Sequence, residues 1–213
     1  MRMNLLDLIY GLMFHLDDYL AGFIMEYGLL VYILIFAVIF SETGLFVLFL
    51  PGDSFIFACA TFAAVGLIDI WALILICFFA AFFGEILNFY FGRTWGRKLY
   101  TKAERRFIKK ENIEKAGDFY EKYGGKAIIL SRFVPILRQF TPFVVGIGGM
   151  SYRKFMVYNL IAVVLWIGLI SAAGYFFGNI PIVQNNFSIV LILIVLISLL
   201  PAVIAYFKAK REI

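Results

Sequence analysis

Residues 127–150 read AIILSRFVPILRQFTPFVVGIGGM, and the fold turns on how this stretch meets a bilayer. Arg132, Arg138, Pro135 and Pro142 interrupt a segment otherwise apolar enough to sit in lipid. An arginine at the centre of a spanning helix costs roughly 2.5 to 3.5 kcal/mol on insertion scales, so two so close together require a wet cavity, a partner or a ligand. Each proline is expected to remove a backbone hydrogen bond, and Gly146, Gly148 and Gly149 are expected to loosen the end of the stretch. Broken backbone persists at membrane depth only where protein or a water-filled cavity covers it. The stretch is therefore expected to form a re-entrant hairpin that carries a cationic binding site.

The rest of the chain is of one kind with it. Of 213 residues, 63% are hydrophobic and only 15% charged, the balance of an integral membrane protein built as a single membrane domain, residues 1–213. Cys59 and Cys77 both lie in apolar runs and read as small buried hydrophobes, specifying neither a disulfide framework nor a metal site. No cofactor motif appears. The first residues have one arginine, three acids and no small-residue cleavage site after an apolar core, so they do not read as a signal peptide. Residues 1–30 fit an amphipathic helix lying at the interface, with His15 as an interfacial polar residue.

Residues 31–66 contain Glu42 and then Pro51-Gly52-Asp53 within otherwise apolar sequence. Pro-Gly-Asp is a turn signature. The turn alone fits two ordinary spans joined at the surface, but an acid nine residues before it would then sit at mid-depth. Residues 71–91 are long enough to cross, with Glu85 and Asn88 in the last two turns. Glu85, about 9 Å of helix rise from that end, could snorkel to the interface or line a cavity. Residues 93–126 carry eleven Lys or Arg against five acids, with interleaved aromatic residues. They fit a cytoplasmic amphipathic helix on anionic headgroups, and attachment in lipid at both ends argues against nucleic-acid binding. A crossing helix at 155–177, an uncharged loop and a last span at 187–207 complete the chain.

Charge parity selects the topology. If 127–150 crossed once, Arg153, Lys154 and the basic tail would fall outside; if it dips and returns, sixteen Lys and Arg share one side. A return also makes residues 31–92 and 127–178 two units of hairpin plus span that begin from opposite faces. The ends Asn88-Phe89-Tyr90-Phe91-Gly92 and Gly174-Tyr175-Phe176-Phe177-Gly178 look alike, as in an inverted repeat with sites near the midplane. The fold expected is an all-α integral membrane protein with an inverted repeat of re-entrant hairpin plus transmembrane helix. A basic amphipathic helix separates the repeats and a C-terminal span follows. The basic segment and the C-terminus are expected to be cytoplasmic.

One hairpin brings Glu42 and Asp53, the other Arg132 and Arg138. Buried charges need partners, so acids are expected near arginines. They could simply neutralise one another and lock the fold. Alternatively the guanidiniums, planar forks of donors, bind an anionic group such as phosphate while the carboxylates take up protons.

At SETG around Glu42, FLPGDS at 49–54, GEILNFYFGRTWG at 84–96 and SRFVPILRQFTPFVVGIGGMSY at 131–152, the sequence resembles the DedA family, also called VTT-domain or SNARE-associated proteins. The resemblance covers almost the whole chain. It implies lipid transporters with two opposed re-entrant hairpins, bacterial members being linked to recycling of undecaprenyl phosphate across the cytoplasmic membrane. The family's acidic pair falls on Glu42 and Asp53 and its essential arginines on Arg132 and Arg138. Pro51, Gly52, Glu85, Asn88, Pro135, Pro142 and Gly146 are expected to support them. Many relatives carry a further proline before the Pro-Gly-Asp turn, where this chain has Val47 and Leu48. The function expected is a proton-motive-force-linked undecaprenyl phosphate flippase in the bacterial inner membrane, possible as a homo-oligomer. The alternatives are a phospholipid flippase or scramblase and a proton-coupled small-ion transporter. An enzyme is not expected: the chain has a single histidine and no nucleophile elbow or His-Glu-Xaa-Xaa-His.

Overall fold

The computed structural model describes residues 26–45, 52–100 and 110–186, together with 22, 190 and 193. The interfacial helix expected over residues 1–30 falls mostly outside these, as do His15, Pro51 and most of the last span at 187–207. The described residues are all-helical, with no strand among them. In chain order the helices are α1 (Leu29–Gly44), α2 (Gly52–Ala64), α3 (Ile70–Tyr100), α4 (Lys110–Tyr123), α5 (Lys126–Ser131), α6 (Pro135–Ile147), α7 (Tyr152–Gly178) and α8 (Pro181–Asn185).

Length divides them into two classes. Ile70–Gly96 within α3 and Tyr152–Gly178, the whole of α7, are apolar runs of 27 residues each. Each rises about 40 Å, more than the roughly 30 Å of a hydrocarbon core. By contrast α1 has 16 residues and α2 and α6 have 13 each, rises of about 24 and 20 Å that fall short of it. The span read from the sequence stops at Phe91, but α3 continues to Tyr100. Hydropathy ends at Arg93 while nothing in Arg93-Thr94-Trp95-Gly96 forces the backbone out of helix.

The described residues form two compact units. The first contains α2, the first turn of α3 and the end of α7 from Ile170. Its seam is Gly174 and Gly178: a Cβ on Gly174 would strike the Phe57 carbonyl and Ala60, and one on Gly178 would strike Thr61 and Ala64. Small residues let backbones approach this closely, which is how helices associate where lipid removes the hydrophobic drive between them. The Thr61 hydroxyl lies 2.9 Å from the Phe57 carbonyl and 3.3 Å from that of Gly174. Phe57 and Phe177 pack with centroids 5.5 Å apart.

The second unit contains α1 from Ile35, α3 from Leu75, α4 to α6, and α7 up to Leu169. Here α6 lies on the end of α3 through Gly92 and Gly96, which face the Phe143 backbone and the Ile147 side chain, while Gly146 faces the Phe89 carbonyl and Arg93. Phe89, Ile128, Val145, Met150, Phe155 and Ala162 form the core, with Phe89 and Phe155 stacked at 4.2 Å. Helix α4 packs against α5 and α6, and Tyr120 reaches that core.

The two seams correspond. Gly92 and Gly96 recur 82 residues later as Gly174 and Gly178, and their partners Phe143 and Ile147 match Ala60 and Ala64 on helices of equal length. The match read from sequence set Gly92 beside Gly178, one helical turn out of this register. Aromatic residues flank both glycines of each pair, so composition alone allows either alignment.

Candidate functional site

The stretch that decides the fold breaks where the arginines stand. Helix α5 tightens as it ends: the N–H groups of Arg132, Phe133 and Val134 donate to the carbonyls of Ile129, Leu130 and Ser131, each three residues back. Val134 is extended (φ −119°, ψ 110°), the conformation favoured before proline, and Pro135 begins α6. Pro135 therefore removes no hydrogen bond, contrary to the sequence expectation, because the first helical position has none to lose. Pro142, inside α6, does withdraw the donor that would reach the carbonyl four residues back, that of Arg138. Arg132 caps α5 and Arg138 sits in the first turn of α6, so the break sets the two guanidiniums on either side of a joint.

Each arginine meets an acid. Arg138 pairs with Glu42 near the end of α1. Arg132 pairs with Glu85 of α3 at 3.1 Å. The four side chains are between 1% and 10% exposed. The sequence paired the arginines with Glu42 and Asp53. Glu42 joins Arg138, and Asp53 stands half-buried in the first turn of α2, after Gly52. Glu85 does not snorkel: its side chain is buried and held by Arg132.

Close helix crossing delivers these acids. Gly84 abuts Thr43 and Gly44, so α1 and α3 touch backbone to backbone beside Glu42 and Glu85. Asn88, fully buried one turn further along α3, donates from Nδ2 to the carbonyls of Thr43 (3.3 Å) and Gln139 (2.8 Å), tying α1, α3 and α6 together. Asn159 of α7 donates to the Phe82 carbonyl at 3.3 Å. Gly146, expected to loosen the backbone, instead lets α6 approach α3.

Sequence reasoning missed one member of the cluster. The Cζ atoms of Arg132 and Arg138 lie 4.7 and 5.5 Å from the ring centroid of Trp166, which is 2% exposed. The available signal was position: Trp71 and Trp95 lie toward the ends of α3 and are exposed, as interfacial tryptophans are, whereas Trp166 is deep within α7. Two guanidiniums and two carboxylates give the cluster no formal net charge. Buried polar atoms without a hydrogen-bond partner gather on the same elements: Glu85 Oε2, Asn88 Oδ1, Gln139 Oε1 and Thr141 Oγ1. Native interiors hold few such atoms.

Residues 50–176 match the VTT domain. The chain is 43% identical over 212 residues to protein DedA of Escherichia coli K12, covering 97% of each. It is 38% identical over 175 residues to an uncharacterized membrane protein of Mycobacterium leprae, covering 82% of this chain and 79% of that one. Inner membrane protein YghB of Escherichia coli K12 is 30% identical over 157 residues, 73% of this chain and 72% of its own. No solved structure matches.

Proposed function

This chain belongs to the VTT-domain family of membrane proteins, the DedA family, and on that premise we propose that it is a lipid transporter that returns undecaprenyl phosphate across the bacterial inner membrane under the proton motive force. The observation that carries the reading is the pair of buried guanidiniums at the α5–α6 break, each held by a carboxylate. An anionic headgroup can take over a guanidinium at little electrostatic cost when the carboxylate it displaces takes up a proton, so that one negative charge replaces another. Protonation of a carboxylate frees its arginine. Glu42 and Asp53 handle protons in this proposal, and Glu85 joins them because of its contact with Arg132.

The topology proposed with it is an inverted repeat. Helices α1 and α2 form one re-entrant hairpin and α5 and α6 the other, with α3 and α7 crossing; the corresponding glycine seams and the short lengths of α1, α2 and α6 support it. Residues 93–126 and the C-terminus face the cytoplasm by the positive-inside rule. The role is transport, not enzymatic turnover, and assembly into a homo-oligomer is compatible with it. A phospholipid flippase or scramblase is the second reading, favoured by a cluster that offers groups for a phosphate and none specific to a headgroup.

Reconstitution into vesicles containing undecaprenyl phosphate or phosphatidylethanolamine, with and without a pH gradient, tests it. Undecaprenyl phosphate is expected to change leaflets, faster with the gradient. Equal movement of both lipids supports the second reading, and movement of neither by a folded protein ends both.

A further inference from the structure

A guanidinium has two different recognition surfaces. Its edge carries five N–H donors, and its flat face is the weakly hydrated cation that aromatic rings attract. In the cluster the carboxylates meet terminal nitrogens: Arg138 donates through one to Glu42, and Glu85 forms an ion pair with one of Arg132 at 3.1 Å. Trp166 engages charge, with both Cζ atoms within 5.5 Å of one ring. Arg132 and Arg138 belong to different helices separated by a turn, so the backbone alone does not hold their side chains together. Trp166 comes from a third helix, α7, whose register on α3 is fixed by the Phe89–Phe155 stack and the Asn159–Phe82 hydrogen bond.

Resting on the reading of this cluster as a phosphate site, we infer that Trp166 is a positioning residue that keeps Arg132 and Arg138 converged while their N–H donors pass from carboxylate to phosphate. The ring makes no demand on the donors, so partner exchange leaves its hold intact. An aliphatic side chain of similar bulk would fill the space and let the two like charges separate once the carboxylates let go. The quadrupole of the ring, not its volume, is the property used, and it declines from indole through phenol to benzene.

The test is a graded series, Trp166→Tyr, Trp166→Phe and Trp166→Leu, in the full chain in detergent, titrated calorimetrically with farnesyl phosphate and with inorganic phosphate. Farnesyl phosphate affinity is expected to fall in that order, by about tenfold or more for Leu, a difference of about 1.4 kcal/mol or more. A Trp71→Phe/Trp95→Phe variant, whose emission comes from Trp166 alone, is expected to show a saturable change with the same midpoint, and none with Arg132→Gln/Arg138→Gln. Thermal unfolding sets apart variants that lose affinity through lost fold; the Tyr and Phe variants retain an aromatic core and keep the comparison available if Leu does not fold. Equal affinities across folded variants, or a wild-type chain that binds neither probe, overturn the inference. Binding of farnesyl phosphate alone assigns a lipid-borne phosphate, and equal binding of both probes assigns the phosphate group itself. If the graded series holds while no lipid moves in vesicles, the transport reading fails and the role of Trp166 stands.

Discussion

Helix α2 on the end of α7 and helix α6 on the end of α3 are built alike and equipped differently. Both are 13-residue helices that lie on a pair of glycines four residues apart. At the first seam the Thr61 hydroxyl reaches across, and Phe57 on Phe177 completes the contact. At the second, α6 also brings Arg138 and Gln139 to Glu42 and Asn88, and its neighbour α5 brings Arg132 to Glu85. Backbone proximity is thus the common device, and the ionic cluster is an addition to one copy of it. The comparison separates what makes the helices associate from what makes one association chemically useful.

Removing one charge should widen that contrast most. Arg132→Met leaves Glu85 buried beside an apolar side chain and is expected to destabilise the chain by about 3–5 kcal/mol, whereas Arg132→Met/Glu85→Met should recover most of that stability. Thermal unfolding in detergent measures both, and vesicle assays of the double variant should show lipid movement lost despite the regained fold. A double variant that transports normally would reduce the cluster to a structural lock.

The seams themselves should respond equally. Gly92→Ala and Gly174→Ala each drive a methyl group into a backbone carbonyl, of Phe143 and Phe57 respectively, and each should cost about 1–3 kcal/mol. If only one of the two lowers the unfolding midpoint, the correspondence of the seams is broken. Asn88→Leu removes both donors that join Thr43 to Gln139 and should cost about 1–3 kcal/mol, read by the same unfolding measurement and by faster hydrogen exchange in α6. Thr61→Val, its nearest counterpart at the first seam, replaces one shared hydroxyl and should cost only about 0.5–1.5 kcal/mol. Equal costs for these two would mean that the second seam draws no extra cohesion from its polar groups.

Much of this was legible in the sequence because lipid makes charge and broken backbone costly, so Arg132, Arg138, Glu42 and Pro135 stand out of an apolar chain. The partner of Arg132 was not legible. Hydropathy places Glu85 near the end of the apolar run but does not say which face of the helix it occupies, so its burial against Arg132 needed coordinates. Trp166 escaped because a tryptophan among apolar residues reads as ordinary core until the charges around it have coordinates. The turn-by-turn register of the two seams was also hidden, since Gly92, Gly96, Gly174 and Gly178 sit in similar aromatic surroundings and only contact distinguishes them.

The pairing of α2 with Gly174 and Gly178 has a further bearing, on how the chain is made. A ribosome finishes Ala64 roughly 110 residues before it reaches Gly178, an interval of about 6 to 20 s at ordinary elongation rates. Throughout that interval α2, too short to cross alone, lacks Gly174 and Gly178, while α6 emerges to find Gly92 and Gly96 already synthesised. The order of synthesis is therefore asymmetric where the two glycine contacts are alike, and the earlier helix waits for its distant glycines.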